Sequence, residues 1–322
     1  MPQPHLTLPD LFIGIDVAKN ELVLHLHPVG TSWRAANTKA GLAVLGRRLT
    51  SLAATGTLRI GFEATGGYER PLGILLDRLK LRAFLLDPAR VRNYAKAERQ
   101  LAKTDPLDAA LIARFVAALH AELTPYVHDA TAVRLAEHVR MRDLAVAQRV
   151  QLGNQLESLA DPAVRRFVAA QIARLKVLVL RIDKAIAAVI AASPDLAARD
   201  ALLRTAPGVG PAVAACLLAR MPELGRLSSR QVAALAGLAP FDRQSGNTTR
   251  SARCTGGRPA VRRYLYMAAL TALRARNGNL AATIARLRDA GKPAKLAIVA
   301  AMRKLIVMIN AMLKNNESFR NA

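Results

Sequence analysis

Acidic residues are scarce in this sequence. Its 322 residues include 23 Asp and Glu against 47 Lys and Arg, a formal net charge of +24. That imbalance sets it apart from ordinary metabolic enzymes of similar size and points to a polyanion, nucleic acid ahead of an anionic membrane surface. Cysteine is almost absent. Cys216 and Cys254 are the only two, too few for a disulfide framework or a four-ligand zinc site, and they fit a reducing, cytoplasmic compartment. One Trp, five Tyr and seven Phe leave little material for broad base-stacking platforms. The start carries Pro2, Pro4, Pro9 and Asp10 without a basic stretch before an apolar run, so no signal peptide is expected. The best apolar run, Leu296 to Leu313, is broken by Arg303 and Lys304, and no transmembrane helix is expected. Apolar residues are plentiful at 52%. They exclude a disordered basic tail as the whole chain, and the length allows two or three domains.

The charge is uneven. Residues 1–200 hold 27 basic and 19 acidic side chains, and residues 201–322 hold 20 and 4. The shorter segment carries twice the excess, so the main polyanion contact is expected there. If about ten basic side chains reached phosphates, affinity would fall with a log–log salt slope of about −9.

Residues 11–125 alternate strand and helix signals. Leu11 to Asp16 and Leu22 to His27 read as a hairpin, with Trp33 to Thr38 as a third strand. Helices are expected over 40–53, 68–80, 88–97 and 105–120, with strands over 58–62 and 81–86. The pattern predicts an α/β domain with a mixed sheet, residues 1–128. Residues 129–199 lack strand signals. A helix over 131–160 is followed by Asp161-Pro162, a helix cap with proline at the first position. Val168, Ile172, Leu175, Val179, Ile182, Ile186 and Val189 then alternate spacings of four and three. This heptad seam predicts a helical coiled-coil hairpin whose seam needs a partner helix, from the same chain or from a second copy. Residues 200–322 read as a mostly helical, basic domain with two loop-rich interruptions, near 207–211 and over 239–259.

Asp16 ends the apolar strand Phe12-Ile13-Gly14-Ile15, and Glu63 ends Ile60-Gly61-Phe62. A carboxylate in such a run is costly without compensation. Asp105 and Asp108, three apart, share one face of a helix. If the strands are neighbours and the helix crosses their ends, four carboxylates converge, and cations must hold them ionised. Two Mg²⁺ ions suit such oxygen donors and phosphodiester chemistry. Three of the acids have an ordinary reading alone, Asp16 being the exception: Asp105 caps a helix with Pro106 at its first position, Asp108 favours the helix dipole, and Glu63 is a strand-end acid.

In the C-terminal part, Pro207-Gly208-Val209-Gly210 has the form of a helix–hairpin–helix turn. Gly208 and Gly210 would present backbone N–H groups to a phosphate without reading base sequence, or make a tight turn that binds nothing. Ser245 lies in the expected loop Asp242-Arg243-Gln244-Ser245-Gly246-Asn247, with Arg243, Arg250, Arg253 and Arg258 around it. Those arginines suit contacts to phosphate and the charge formed when a serine attacks a phosphodiester. All six histidines precede this half, so there is no local Ser–His pair.

Gly14-Ile15-Asp16-Val17-Ala18-Lys19, Glu63-Ala64-Thr65-Gly66-Gly67-Tyr68 and Lys103-Thr104-Asp105-Pro106-Leu107-Asp108-Ala109 resemble the three acidic motifs of the insertion-sequence one-ten family. These are transposases of the DEDD type, to which the Piv-type DNA invertases are related. The similarity runs from about residue 11 to residue 310. It implies an RNase H/RuvC-like first domain in which Asp16, Glu63, Asp105 and Asp108 bind Mg²⁺. It also implies that Ser245 is the nucleophile, forming a phosphoserine link to cleaved DNA before strand transfer, and that Lys19 and Lys103 lie in nucleic-acid-binding motifs. Donor and target DNA, a structured bridge RNA that guides the enzyme, and a homo-oligomer, dimer or tetramer, are the implied partners. The other readings of the same residues are a RuvC-type metal-dependent junction nuclease, with Ser245 structural, and a non-catalytic nucleic-acid-binding protein.

Overall fold

The computed structural model describes residues 9–98, 105–245, 248–254, 256–274 and 278–319, the side chains of 105–107, 240–253 and 278–279 aside. The chain forms two compact units, residues 1–128 and 129–322.

The first unit is a five-stranded sheet with helices on both faces. Its strands are β1 (Asp10–Val17), β2 (Glu21–His27), β3 (Thr31–Ala36), β4 (Thr57–Glu63) and β5 (Arg82–Leu86). Their order is β3-β2-β1-β4-β5. The first three pair antiparallel, and β1, β4 and β5 pair parallel, the mixed sheet expected from the sequence. Side-chain alternation sends Leu11, Ile13, Ile15 and Val17 of β1 to one face. There they pack with Leu42, Leu45 and Leu49 of α1 (Lys39–Ala53) and Leu72, Leu75 and Leu76 of α2 (Arg70–Arg78). The opposite face carries Phe84 and Leu86 of β5, covered by Val91 of α3 (Pro88–Ala97) and by Leu111, Ile112, Phe115 and Val116 of α4 (Asp105–Leu119).

One contact sets the height of α4 above the sheet. Gly14 of β1 and Gly61 of β4 are directly paired across the strands. A Cβ built on Gly14 would lie 2.0 Å from the Ala109 carbonyl oxygen and 2.4 Å from the Ala113 nitrogen. One on Gly61 would lie 2.4 Å from a Val116 methyl. The two glycines make a groove in the sheet, and the alanine-rich side of α4, with Ala109 and Ala113 fully buried, sits in it.

The second unit begins with a long helical hairpin, α5 (Ala130–Ser158) and α6 (Pro162–Ala191). Asp161 caps α6 by accepting from the Ala163 and Val164 N–H groups, and Arg165 donates to the Leu156 and Leu159 carbonyls that end α5. The seam of α6 finds a partner within the chain. Leu175 and Val179 bury against Ala145 of α5, and Ile186 and Val189 join a core that includes Leu135 and Val139 of α5.

The remaining elements are α7 (Pro194–Thr205), α8 (Pro211–Arg220), α9 (Ser229–Leu235), β6 (Pro240–Ser245), β7 (Thr248–Cys254), α10 (Pro259–Arg274), α11 (Gly278–Asp289) and α12 (Ala294–Asn315). Among the described helices α12 alone is long and apolar enough to cross a membrane. Its Leu305, Ile306 and Ile309 are fully buried, and it packs against α7, α9, α10 and α11. Its buried Asn310 is satisfied at both ends, accepting from Gly225 N–H at 2.9 Å and donating to the Leu227 carbonyl at 2.8 Å. A polar network joins the hairpin to the helices behind it. Arg142 of α5 donates to Asp183 of α6 at 2.6 Å and to the Tyr264 hydroxyl of α10 at 3.3 Å. That hydroxyl donates to Asp143 at 2.6 Å, which also accepts from Arg220 of α8 at 2.7 Å.

Because the groove admits no side chain, Gly14→Ala is expected to cost about 3 kcal/mol or more of stability, since the new methyl meets backbone atoms rather than a movable side chain. Urea unfolding of the two proteins measures it. An unchanged midpoint would show that α4 does not need the close approach.

Candidate active site

The glycine contact has a chemical consequence two residues further on. Asp16 lies on the same face of β1 as Gly14, and Glu63 on the same face of β4 as Gly61. Asp108 immediately precedes Ala109, whose carbonyl touches Gly14. Seating α4 in the groove therefore brings Asp108 to the ends of the two strands. The electrostatics agree. Burial pushes the Glu63 carboxyl above its ordinary range; Asp16 and then Asp108 push it further, Arg92 opposes them, and Asp87 adds to the rise. Asp105 occupies the first turn of α4, three residues before Asp108, and its side chain lies outside the described ones. Lys103 also lies outside the described residues. Lys19 is exposed at the β1–β2 turn, where the Ala18 N–H closes on the Glu21 carbonyl.

Among the described residues no three His, Cys, Asp or Glu side chains are already arranged around an ion position. The donor set is nevertheless oxygen only, and the neighbouring aspartates add to the raised proton affinity of Glu63, a setting that suits a hard divalent cation. Asp87 and Arg92 were not singled out from the sequence. Asp87 caps α3, its carboxylate accepting from the Ala89 N–H. Only the parallel pairing of β5 beside β4, which puts Leu86 opposite Glu63, brings this cap and the Arg92 charge near the cluster.

The segment leaving Glu63 is held tightly. Gly66 and Gly67 take φ values of 79° and 131°, which a side chain would disfavour. The Glu69 carboxylate accepts from the Thr65 N–H, the Thr65 hydroxyl and the Gly67 N–H at 3.1, 2.9 and 2.8 Å. Burial works against its ionisation, yet these donors hold it below the ordinary carboxylate range.

The second set of predicted residues lies in the other unit. The segment around Ser245, expected as a loop, is a two-stranded antiparallel hairpin. Ser245 is the last residue of β6, opposite Thr248, and Arg243 pairs with Arg250 and Phe241 with Arg253. The sequence carries a signal for it: the turn-forming pair Gly246-Asn247 is followed by the β-branched Thr248-Thr249. The base of this hairpin is clamped. Gly237 and Gly257 approach so closely that a Cβ on Gly257 would lie 2.2 Å from the Gly237 nitrogen. Arg262 donates to the Gly237 and Gly256 carbonyls at 3.0 and 3.1 Å. Arg258 grips Glu223 with two bonds of 2.8 and 2.7 Å and also donates to the Arg220 carbonyl. Its guanidinium is thus engaged within the unit.

The turn between α7 and α8 contains Gly208, with φ 75°. A Cβ there would lie 2.1 Å from the Ala268 carbonyl of α10, so packing alone demands this glycine. Gly210 is exposed, stands at the N-cap of α8, and has open space where a side chain would be.

A DEDD-type IS110 transposase model matches residues 13–163, and a second model, described as transposase of the IS116/IS110/IS902 family, matches residues 200–285. Two curated relatives, the pilin gene-inverting proteins of Moraxella lacunata and Moraxella bovis, are each 27% identical over 314 residues, covering 96% of this chain and 97% of theirs.

Arg258 holds the Glu223 carboxyl below its ordinary range against the effect of burial. The stabilisation this gives is complete above the unfolded pKa and is lost as pH falls through the depressed folded one. Both side chains are about a third exposed, at 34% and 38%, so screening limits the pair to about 1 kcal/mol. Arg258→Gln is expected to lower the unfolding midpoint near neutral pH, with the difference from wild type shrinking in acid. A difference independent of pH would dismiss the ion pair as its cause.

Proposed function

The chain belongs to the IS110 transposase family, and we propose that it is an RNA-guided recombinase joining a Mg²⁺-dependent acidic site to a serine nucleophile. DNA strand transfer is the work of that family. The observation that carries the finer reading is the meeting of Asp16, Asp108 and Glu63 at the ends of two central strands, where burial and then the two aspartates raise the proton affinity of Glu63. In this reading the first unit supplies Asp16, Glu63, Asp105 and Asp108 as metal ligands. Residues 129–199 space or pair the subunits, and residues 200–322 supply Ser245 and most of the positive charge.

Mg²⁺, when bound, would supply Lewis-acid activation and neutralise the oxygens around phosphorus. The protein's own groups do the rest. The Ser245 hydroxyl attacks the scissile phosphate, forming a bond from its oxygen to phosphorus as the bond to the departing sugar oxygen breaks. The acidic site of the first domain takes up its proton, and the departing sugar oxygen is protonated as it leaves; no histidine follows His138 in the sequence. The β6–β7 arginines Arg243, Arg250 and Arg253 face the charge that develops. Reversal against a new sugar hydroxyl rejoins the strand and frees the serine. Lys19, Lys103 and the Gly208–Gly210 turn contact backbone phosphates. A bridge RNA encoded beside the gene pairs with donor and target DNA, and the protein reads its shape and backbone rather than its bases. The enzyme works in the cytoplasm as a homo-oligomer.

The relatives named for inverting a pilin gene favour conservative strand exchange, in which the covalent link conserves the energy of the broken bond. Ser245→Ala is expected to abolish both the protein–DNA adduct and recombination, and Asp16→Asn to abolish recombination while leaving DNA binding within about threefold. Denaturing gels of the covalent species and plasmid recombination read these outcomes. DNA cleavage that survives Ser245→Ala would replace this reading with a junction nuclease.

A further inference from the structure

The first unit contains eight aromatic side chains, all within the described residues. Seven are accounted for by packing. Phe12 meets His27 and His120, Phe62 meets Tyr126, and Tyr94 meets Phe115. Trp33 lies under Arg48 and Phe84 under Arg82. Among the described residues the eighth, Tyr68, has no ring or cation stacked on it, and it belongs to neither hydrophobic core of the unit. It is 48% exposed in a chain with 4% aromatic residues.

Its backbone, by contrast, is fixed. The Asn37 amide donates at 3.0 Å to the Tyr68 carbonyl and at 3.0 Å to the Ala18 carbonyl. A single nitrogen therefore ties Tyr68 to the residue two beyond Asp16. On its other side Tyr68 follows Glu63 by five residues, across the turn closed by Glu69. Gly66 and Gly67 precede it, and no atom lies within 4 Å of where a Gly66 side chain would begin. The two glycines before the ring thus add no side chains of their own, and the nearest atom to where a Gly67 side chain would begin is Arg70 Nε at 3.8 Å. A rigid loop at the rim of an acidic site holds one bare, half-exposed ring, which is the arrangement suited to a π-face stacking on an unpaired base.

We propose that Tyr68 is a base-stacking residue of the acidic site: it takes an unstacked nucleobase next to the scissile phosphate and so positions that phosphate over Asp16, Glu63 and Asp108. Exposed single apolar residues are ordinary on protein surfaces. What distinguishes Tyr68 is the pinned backbone, the glycine clearing and the short tether to two acids. The stacking surface is sequence-tolerant, because every base has a π-face. It therefore adds affinity at the cut site without competing with base pairing for the choice of sequence. The inference rests on the acidic cluster being the cleavage site.

The test uses the full-length protein and a forked DNA duplex carrying 5-iodouracil at the first unpaired position. Irradiation followed by mass spectrometry of the crosslinked peptides is expected to place the adduct on Tyr68. Tyr68→Leu is expected to remove that adduct, to weaken binding of the fork relative to a plain duplex by about tenfold, and to slow recombination of the DNA flanking its own gene. Tyr68→Trp restores all three. Unchanged melting temperatures show that the fold is intact. Asp16→Asn separates this proposal from the reading beneath it. That variant keeps the Tyr68 adduct while recombination stops; if recombination continued, the acidic-site reading would fail whatever Tyr68 does. A crosslink elsewhere in the wild type, or equal preference for the fork with Tyr and Leu, overturns the stacking role.

Discussion

Everything the first unit can do depends on how closely α4 lies on the sheet, and that distance is set by two missing side chains. Gly14 and Gly61 face each other across β1 and β4, and backbone atoms of α4 occupy the space their Cβ atoms would take. The acids follow at fixed offsets, Asp16 and Glu63 two residues after each glycine and Asp108 beside the contacting Ala109. Like charges are brought together here by apolar packing elsewhere in the layer, where Phe84, Ile112, Phe115 and Val116 are buried. The raised proton affinity of Glu63 comes from its burial first and then from Asp16 and Asp108, and a hard cation bound there would offset it.

The second unit uses charge differently. Its cations are mostly on the surface, but several arginines are engaged in holding the frame. Arg142, Arg220 and Tyr264 converge on Asp143 and Asp183 to fix the hairpin base to α8 and α10. Arg258 and Arg262 clamp the two ends of the β6–β7 hairpin. Ser245 thus ends a strand, opposite Thr248, on a ribbon whose base is anchored. The positive excess of residues 201–322 is therefore an upper limit on phosphate contacts, since part of it is already paired inside the unit.

Much of this was legible in order along the chain. Alternation and turn residues marked all five strands of the sheet, and Asp161-Pro162 marked a helix start that the structure places at Pro162. The acids stood out because a carboxylate in an apolar strand has few explanations. The β6–β7 ribbon was read as a loop because its composition, rich in Ser, Thr, Asn and Arg, outweighed the Gly246-Asn247 turn pair. Gly208 was noticed for a phosphate it might cradle, although its most immediate neighbour is the Ala268 carbonyl. The heptad seam of α6 announced that a partner helix was needed, and α5 fills that place in the chain itself.

The sequence alone determined the elements, the basic second half, and the acids together with the motifs around them. These are local properties, decided by neighbours within a few residues, by strand alternation and by the cost of burying charge. Which residues meet was decided only by the tertiary structure. That Gly14 opposes Gly61, that α4 descends onto both, that Asp87 and Arg92 join the acids' surroundings and that Tyr68 is left half-exposed all depend on contacts between segments tens of residues apart. Close packing fixes such contacts through the shape of a whole layer, and no short window of sequence carries that shape.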